Sequence, residues 1–123
     1  MVVSNTILDA IKTNALDQFD SYTHIAVGDD NTAATAADTA LGNEFFREAF
    51  IDSVKDTGAA TYTFSIQLGL TEGNGNTLRE VGVFDAAAAG NMALRTVLPT
   101  EFAKTADKEV WIDVAVSIAA KNV

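Results

Sequence analysis

The residue types that most often perform catalysis are sparse in this sequence of 123 residues. His24 is the single histidine and no cysteine is present, which excludes thiolate metal sites, cysteine nucleophiles and disulfides. No G-x-S-x-G motif supplies a nucleophile for His24, and a lone histidine is more often a packed or surface residue. The Gly-Asn-Gly segment at residues 73–75 precedes a strand pattern, so it does not open a phosphate-binding helix. We therefore expect no catalytic residues, no metal and no cofactor, and a protein that is not an enzyme.

The acidic residues decide which partners are excluded. Seventeen Asp and Glu oppose eight Lys and Arg, which gives a net charge of -9. Nucleic acids and anionic membrane surfaces need clustered Lys and Arg, so we expect neither as a partner. Asp29, Asp30 and Asn31 carry oxygen atoms that suit a hard cation, but they lack the spacing of an EF-hand loop, and a turn is the better interpretation.

The composition also bears on the environment of the protein. Abundant Asp and scarce Lys suit high salt, where carboxylates keep a surface hydrated and salt screens their repulsion; an ordinary acidic soluble domain fits equally well. No apolar run approaches the about 20 residues of a membrane helix, and the N-terminus lacks a signal-peptide pattern. We expect synthesis in a cytoplasm.

One helix is predicted ahead of the strands. Residues 5–16 carry Ile7, Leu8 and Ile11 at the spacing of one helix face. Such a stripe covers either a neighbouring subunit or the domain's own core, and the second case is the commoner one. The three side chains are therefore candidates for a subunit interface.

The rest of the chain has the pattern of strands and turns. Residues 60–68 are the clearest case, because apolar and polar residues alternate there. The other predicted strands are at residues 22–27, 44–54, 77–85, 92–98 and 110–118, with Pro99 ending the pairing of the strand before it and a loop at residues 102–108. We expect a mainly β fold, an antiparallel β-sandwich or open barrel of about six strands with one N-terminal α-helix. Residues 1–123 would form a single domain, with the helix and its lead-in at 1–20 and a β-rich body at 21–123.

The strand at residues 44–54 is apolar on both faces, since Phe46 and Phe50 alternate with Phe45 and Ile51. Such a strand is buried on two sides within its own fold or is covered on one side by a partner. Carboxylates four residues apart leave a helix as a competing interpretation. We therefore expect Phe45, Phe46 and Phe50 to be candidate interface residues.

The strand at residues 77–85 is predicted to be central to the fold. Side-chain alternation puts Leu78 and Glu80 on one face and Arg79 on the other. Gly82 in its middle marks a bulge or the close approach of another segment.

Three segments, in order along the chain, resemble one protein family. They are T-H-I-A-V-G-D at residues 23–29, T-A-L-G-N-E-F-F-R at residues 39–47 and L-R-E-V-G-V-F-D at residues 78–85. Their order and spacing are similar to those of the N-terminal domain of tail-collar and tail-fibre proteins of tailed viruses. The resemblance covers most of the chain from Thr23 onward.

The resemblance implies a virion structural protein, in which a small β-rich domain attaches a fibre or closes part of a tail tip or baseplate. It implies no catalytic role, and it implies that Asn43 and Glu44 hold Arg79. The residues that match the family motifs as a structural signature are Asn43, Glu44, Arg79, Glu80, Gly82 and Asp85.

Several further expectations follow from the resemblance. Family members continue into a fibre shaft whereas this sequence ends at Val123, so we expect an adaptor or small decoration subunit. We expect a homo-oligomer, with a trimer favoured, that contacts other virion proteins and is located in the tail rather than the capsid. The composition is similar to that of tailed viruses infecting halophilic archaea.

Two alternative functions remain open. One is a capsid turret or decoration subunit. The other is a small carbohydrate-binding module, because β-sandwiches often present sugars to aromatic residues such as Trp111 or Tyr62. Trp111 lies opposite the aliphatic face of its strand, and packing beneath the helix is its favoured position.

Overall fold

The computed structural model describes residues 1–122, in which one helix is followed by seven strands. In chain order the elements are α1 (Asn5–Asp17), β1 (His24–Gly28), β2 (Glu44–Ala49), β3 (Asp52–Asp56), β4 (Thr61–Leu68), β5 (Thr77–Phe84), β6 (Met92–Ala103) and β7 (Val110–Ser117). The alternation predicted for residues 60–68 is confirmed, because every second residue of β4 is buried.

The strands form two antiparallel sheets that share one hydrophobic core. The first sheet has the order β2-β1-β5-β6 and the second has the order β3-β4-β7. Both sheets contribute to the core, whose most buried strand residues are Ile25, Val27, Phe64, Ile66, Leu68, Leu78, Val81 and Val83. The predicted mainly β, antiparallel sandwich with one N-terminal α-helix is confirmed. No helix within residues 1–122 is long and apolar enough to cross a membrane.

The single strand predicted at residues 44–54 is two strands that belong to different sheets. The amide of Phe50 donates to the carbonyl of Thr23 beside the first sheet, at 2.9 Å. The amide of the next residue, Ile51, donates to the carbonyl of Ser65 in the second sheet, also at 2.9 Å. The chain therefore crosses between sheets at Phe50 and Ile51, which explains the apolar residues on both faces and raises the strand count to seven.

β6 runs through Pro99 instead of ending before it, so the predicted break is wrong. The register with β5 is irregular here: Leu78 lies opposite Phe102, whereas Glu80 lies opposite Val97. The extra β6 residues form a bulge, which is one of the few places in a sheet where a proline is tolerated. Phe102 consequently belongs to the strand and not to the predicted loop.

The same bulge changes which residues of β5 share a face. Leu78 joins the core together with Val81, whereas strict alternation predicted that it would lie with Glu80. Glu80 therefore points to the outer side of the first sheet, whereas Leu78 and Val81 point into the core.

α1 is attached near its start to the C-terminal tail that follows β7 and near its end to the core of the sandwich. Ser4 caps the helix by accepting a hydrogen bond from the Ile7 amide, and the neighbouring Val3 exchanges two hydrogen bonds with Asn122. At the other end, Leu16 is fully buried in the core. Between these attachments the helix is held as a ridge on the surface.

Candidate functional site

Residues 29–43, the covering loop, lie over the outer face of the first sheet and are held there by Glu80. This glutamate has no solvent exposure. Its carboxylate accepts backbone N–H groups from Asp30 at 3.0 Å, Gly42 at 2.8 Å and Asn43 at 2.9 Å. One side chain of the central strand thus binds both ends of a fifteen-residue loop, an arrangement typical of compact Ω-loops.

Arg95 completes this cluster from the neighbouring strand. Its Nε donates to Glu80 at 2.8 Å, and another guanidinium nitrogen lies 3.2 Å from the carboxylate of Asp38. The remaining nitrogen donates to the carbonyl of Thr32 at 2.9 Å. The sequence reasoning missed Arg95: a single arginine among mostly apolar residues was a usable signal that it is functional, but its position opposite Gly82 follows from the register between β5 and β6.

The charges of this cluster stabilise each other. Burial alone would raise the pKa of Glu80, but hydrogen bonds from Arg95 and the backbone amides outweigh burial and lower its pKa below the ordinary value. The hydrogen bond to Glu80 raises the pKa of Arg95. Both groups are charged at neutral pH, and their hydrogen bonds fix the loop to the sheet.

Gly82 is where the covering loop approaches the sheet most closely. A Cβ at this position would lie 2.8 Å from Cδ2 of Leu41 and 3.0 Å from a ring carbon of Phe84. Leu41 forms a small second core with Ala26 and Phe84 on the outer side of the sheet. The predicted close approach of another segment to Gly82 is confirmed. The segment is the covering loop, and the side chain that reaches Gly82 is that of Leu41.

Arg79 has other partners than the sequence suggested. Its Nε donates to Glu101 at 2.6 Å and a second nitrogen donates to the carbonyl of Asp29 at 3.2 Å. The expectation that Asn43 and Glu44 hold Arg79 is wrong. Asn43 binds Glu80 through its backbone, and Glu44 pairs with an arginine of its own strand.

That arginine, Arg47, fixes the hairpin between β5 and β6. Its guanidinium lies over the Phe84 ring, with 3.7 Å between the guanidinium carbon and the ring centroid. It also donates to the carbonyls of Ala86 and Ala89. Asp85 closes the same hairpin, because its carboxylate accepts the amide hydrogen of Asn91 at 2.7 Å and a side-chain N–H of the same residue at 3.0 Å.

Lys104 is a second buried charge that the sequence did not single out. Its Nζ donates to the side chain of Asn74 at 2.7 Å and to the carbonyl of Thr105 at 3.0 Å. Its backbone exchanges hydrogen bonds with Asn76 and Gly75. Lys104 therefore fixes the turn that leads into β5.

The remaining polar candidates lie apart from the Glu80 cluster or act within turns. Nδ1 of His24 is 2.6 Å from the hydroxyl of Thr23. Asp30 accepts the amide hydrogen of Thr32 at 2.8 Å, as expected for a turn residue. Among residues 1–122, no three His, Asp or Glu side chains are grouped so that they could hold a metal ion.

The candidate interface residues fall into two groups. On α1, Ile7 is 52% exposed and Ile11 is 48% exposed, whereas Leu8 is half-buried. The other group, formed by Phe45, Phe46 and Phe50, is half-buried and packs against the protein's own core. The helix thus offers more free apolar surface than the phenylalanines.

The two aromatic residues suggested for sugar stacking differ in accessibility. Tyr62 is buried in the core, and its hydroxyl donates to Asp20 at 3.0 Å. Trp111 is 62% exposed on the outer face of the second sheet, so the favoured position beneath the helix is wrong.

The three segments that resemble tail-collar domains meet around Glu80. From the first segment, Gly28 lies so close that a Cβ there would be 2.5 Å from Oε2 of Glu80. From the second, Asn43 donates to the same oxygen and Arg47 stacks on Phe84 of the third. A scan against protein-family models and a search of curated proteins found no match to the chain. The resemblance therefore rests on the sequence motifs of the three segments.

Proposed function

We propose that this protein is a non-enzymatic structural subunit of a virus particle, a small tail, baseplate or fibre-attachment component that assembles through protein contacts. The convergence of the three motif segments around Glu80 supports this proposal. The motif residues Glu80, Asn43 and Arg47 hold the chain's own loop and hairpin in place, as expected for a structural signature.

The exposed apolar face of α1 supports assembly between copies. Ile7 and Ile11 are four residues apart and therefore project on the same side of the helix. About half of each side chain is exposed, on a helix attached near both ends. Burying such residues against another copy contributes roughly 25 cal/mol per Å² of apolar surface.

The distribution of charge favours α1 as the contact. Residues 1–16 contain one acid, Asp9, and one base, Lys12, so the whole net charge of -9 belongs to the rest of the chain. Acidic bodies repel one another, and residues 1–16, in which Asp9 and Lys12 balance, approach another copy with the least repulsion. We favour a trimer, because the resemblance implies a fibre-associated subunit.

Sedimentation velocity tests assembly through α1. We expect the unchanged protein to sediment as an oligomer, and the double variant Ile7→Gln with Ile11→Gln to sediment as a monomer. Val54→Gln is the matched control, because Val54 is also 52% exposed but lies on β3. A protein that is monomeric at high concentration, or an oligomer that the helix variant leaves intact, contradicts the proposed contact.

Immunogold electron microscopy tests the location independently. Antibodies against the purified protein should label one end of the tail on intact particles from the virus that carries the sequence. Label distributed over the capsid would replace the tail location with a turret or decoration role. Particles that carry no label would contradict a virion function even if the protein oligomerises.

A further inference from the structure

β7 is the longest regular edge strand of the two sheets. The four edges are β2, β6, β3 and β7. β2 and β6 have irregular registers, and Pro99 removes an amide hydrogen from β6. β3 has only five residues and contains Lys55. β7 pairs with β4 over eight residues without a shift and contains neither Pro nor Lys, so its free backbone edge is unprotected against an added strand.

An apolar cleft lies along the inner side of this edge. The sandwich is joined at the opposite side, where the chain crosses from β2 to β3, but β6 and β7 are not paired with each other. The cleft between them has a volume of about 390 Å³. Most of its lining is apolar and comes from both sheets, namely Val81, Leu94, Leu98, Ile112 and Val114.

The outer side of the same edge is aromatic and acidic. Trp111 is 62% exposed, and Glu109 and Asp113 lie two residues away on either side, which puts them on the same face. Gln67 donates to Glu109 at 3.0 Å, and Ser65 donates to Asp113 at 2.6 Å. An exposed indole between two positioned carboxylates matches a guanidinium group, which stacks on an aromatic ring and forms paired hydrogen bonds with a carboxylate.

We propose that β7 binds an extended segment of a partner protein as an added strand. Side chains of a strand alternate between faces, so every second residue of the segment would enter the cleft beside Ile112 and Val114. The residues between them would lie on the outer face, where an arginine opposite Trp111 is within reach of Asp113. The partner segment therefore alternates apolar and basic residues.

The charge of the chain argues that the occupant is another protein rather than a second copy. Pairing of two β7 edges would bring Asp113 and Glu109 of one copy towards the same residues of the other, and like charges across strands are destabilising. The net charge of -9 adds to this repulsion. A basic segment gains attraction from the same charges.

Fluorescence of Trp111, the single tryptophan of the chain, reports binding directly. The probe is a short end-blocked peptide of alternating arginine and valine, and its control is the isomer with all arginines before all valines. We expect a saturable change in Trp111 emission with the alternating peptide and at least about tenfold weaker binding of the block isomer. Added salt should weaken the binding of the alternating peptide.

Surface variants separate the proposed geometry from general charge attraction. Ala115→Lys places a cation on the exposed outer face of β7 and should abolish binding, and Asp113→Asn should weaken it several-fold. Asp56→Asn removes the same charge from β3 and should leave the affinity within about twofold. Thermal unfolding of each variant checks that the sandwich is intact.

Three results would overturn the proposal. Equal affinity for the two peptide isomers would show charge attraction without strand addition. A change in emission with cellohexaose but not with the peptide would identify Trp111 as a sugar-stacking residue. An oligomer that Ala115→Lys dissociates would show that a second copy occupies the edge.

Discussion

Glu80 is a buried charge whose partners come from segments far apart in the sequence. Its carboxylate is satisfied by three backbone amides and by Arg95, and it has no solvent exposure. A buried ion pair adds little stability compared with a well-packed apolar pair, but removing one partner leaves the other charge buried without compensation. The main contribution of Glu80 is therefore to fix one conformation of the covering loop.

Replacing Glu80 with Ala should be among the most destabilising single changes in this chain. We expect a loss of about 3–5 kcal/mol in the free energy of unfolding, because Arg95 and three loop amides lose their acceptor. Glu101→Ala is the control: its pair with Arg79 is exposed, and it should cost no more than about 1 kcal/mol. Urea titration measures both variants, and similar losses for the two would contradict the role of Glu80.

The pH dependence of stability gives a second test of the same residue. Folding lowers the pKa of Glu80, so its contribution is complete above the unfolded value of about 4.5 and is lost as the pH falls through the lower folded pKa. Glu80→Gln lacks this contribution. We therefore expect the stability difference between the unchanged protein and Glu80→Gln to shrink as the pH falls below about 4. A constant difference across this range would contradict the assignment.

At the scale of elements, the two sheets differ in whether their outer faces are covered or exposed. The first sheet is covered by residues 29–43, with Leu41 over Gly82 and beside Phe84. The second sheet leaves Trp111 and Val54 exposed on its outer face. The outer face of the first sheet thus packs against the covering loop in a small additional core. The outer face of the second sheet is available for contacts.

Gly82 and Leu41 should be energetically coupled. Gly82→Ala should cost about 1–3 kcal/mol through overpacking, and Leu41→Ala about 2–5 kcal/mol through lost burial. The double variant should cost less than the sum, because removing the leucine side chain makes room for the new methyl group. Gly58→Ala, whose Cβ would have its nearest neighbour at 3.4 Å, is the control. Additive losses in a double-mutant cycle would contradict this packing.

Local patterns predicted the elements well and their junctions poorly. The alternation from Tyr62 to Leu68 was sufficient, because one face of β4 is buried along its whole length. The crossing at Phe50 and Ile51 has no local signal, since phenylalanine and isoleucine suit a continuing strand as well as a junction. Pro99 was misread because its tolerance depends on a bulge, which is a property of two strands.

The Glu80 cluster could be predicted only in part. The motif resemblance singled out Glu80 and Asn43, but the partners of Arg79 that were inferred from the same resemblance were wrong. Arg95 was missed because its position opposite Gly82 depends on the register between β5 and β6. Residues that meet across strands become visible only when the register is known.

At the scale of the whole molecule, negative charge is in excess. The net charge is -9, and bases such as Lys55, Arg79 and Arg95 are already paired with acids. The surplus negative charge is therefore distributed over the surface and opposes compaction.

Salt should stabilise the folded protein. We expect the melting temperature to rise by several degrees between about 0.02 M and about 0.5 M NaCl, because the Debye length shortens and repulsion between carboxylates is screened. The double variant Asp52→Asn with Asp56→Asn carries less negative charge and should show a smaller rise. A melting temperature that is constant or falls over this range would contradict a repulsion-limited fold.

The crossing between Phe50 and Ile51 also has a consequence for how the protein folds. The amides of two adjacent residues are hydrogen-bonded to different sheets, so opening either sheet at this point also strains the hydrogen bond to the other. We therefore expect all-or-none unfolding, with both sheets lost in one transition. The pairing of β4 with β7 and of β1 with β5 joins residues that are far apart in the sequence, which makes folding slow compared with that of helical proteins of similar length.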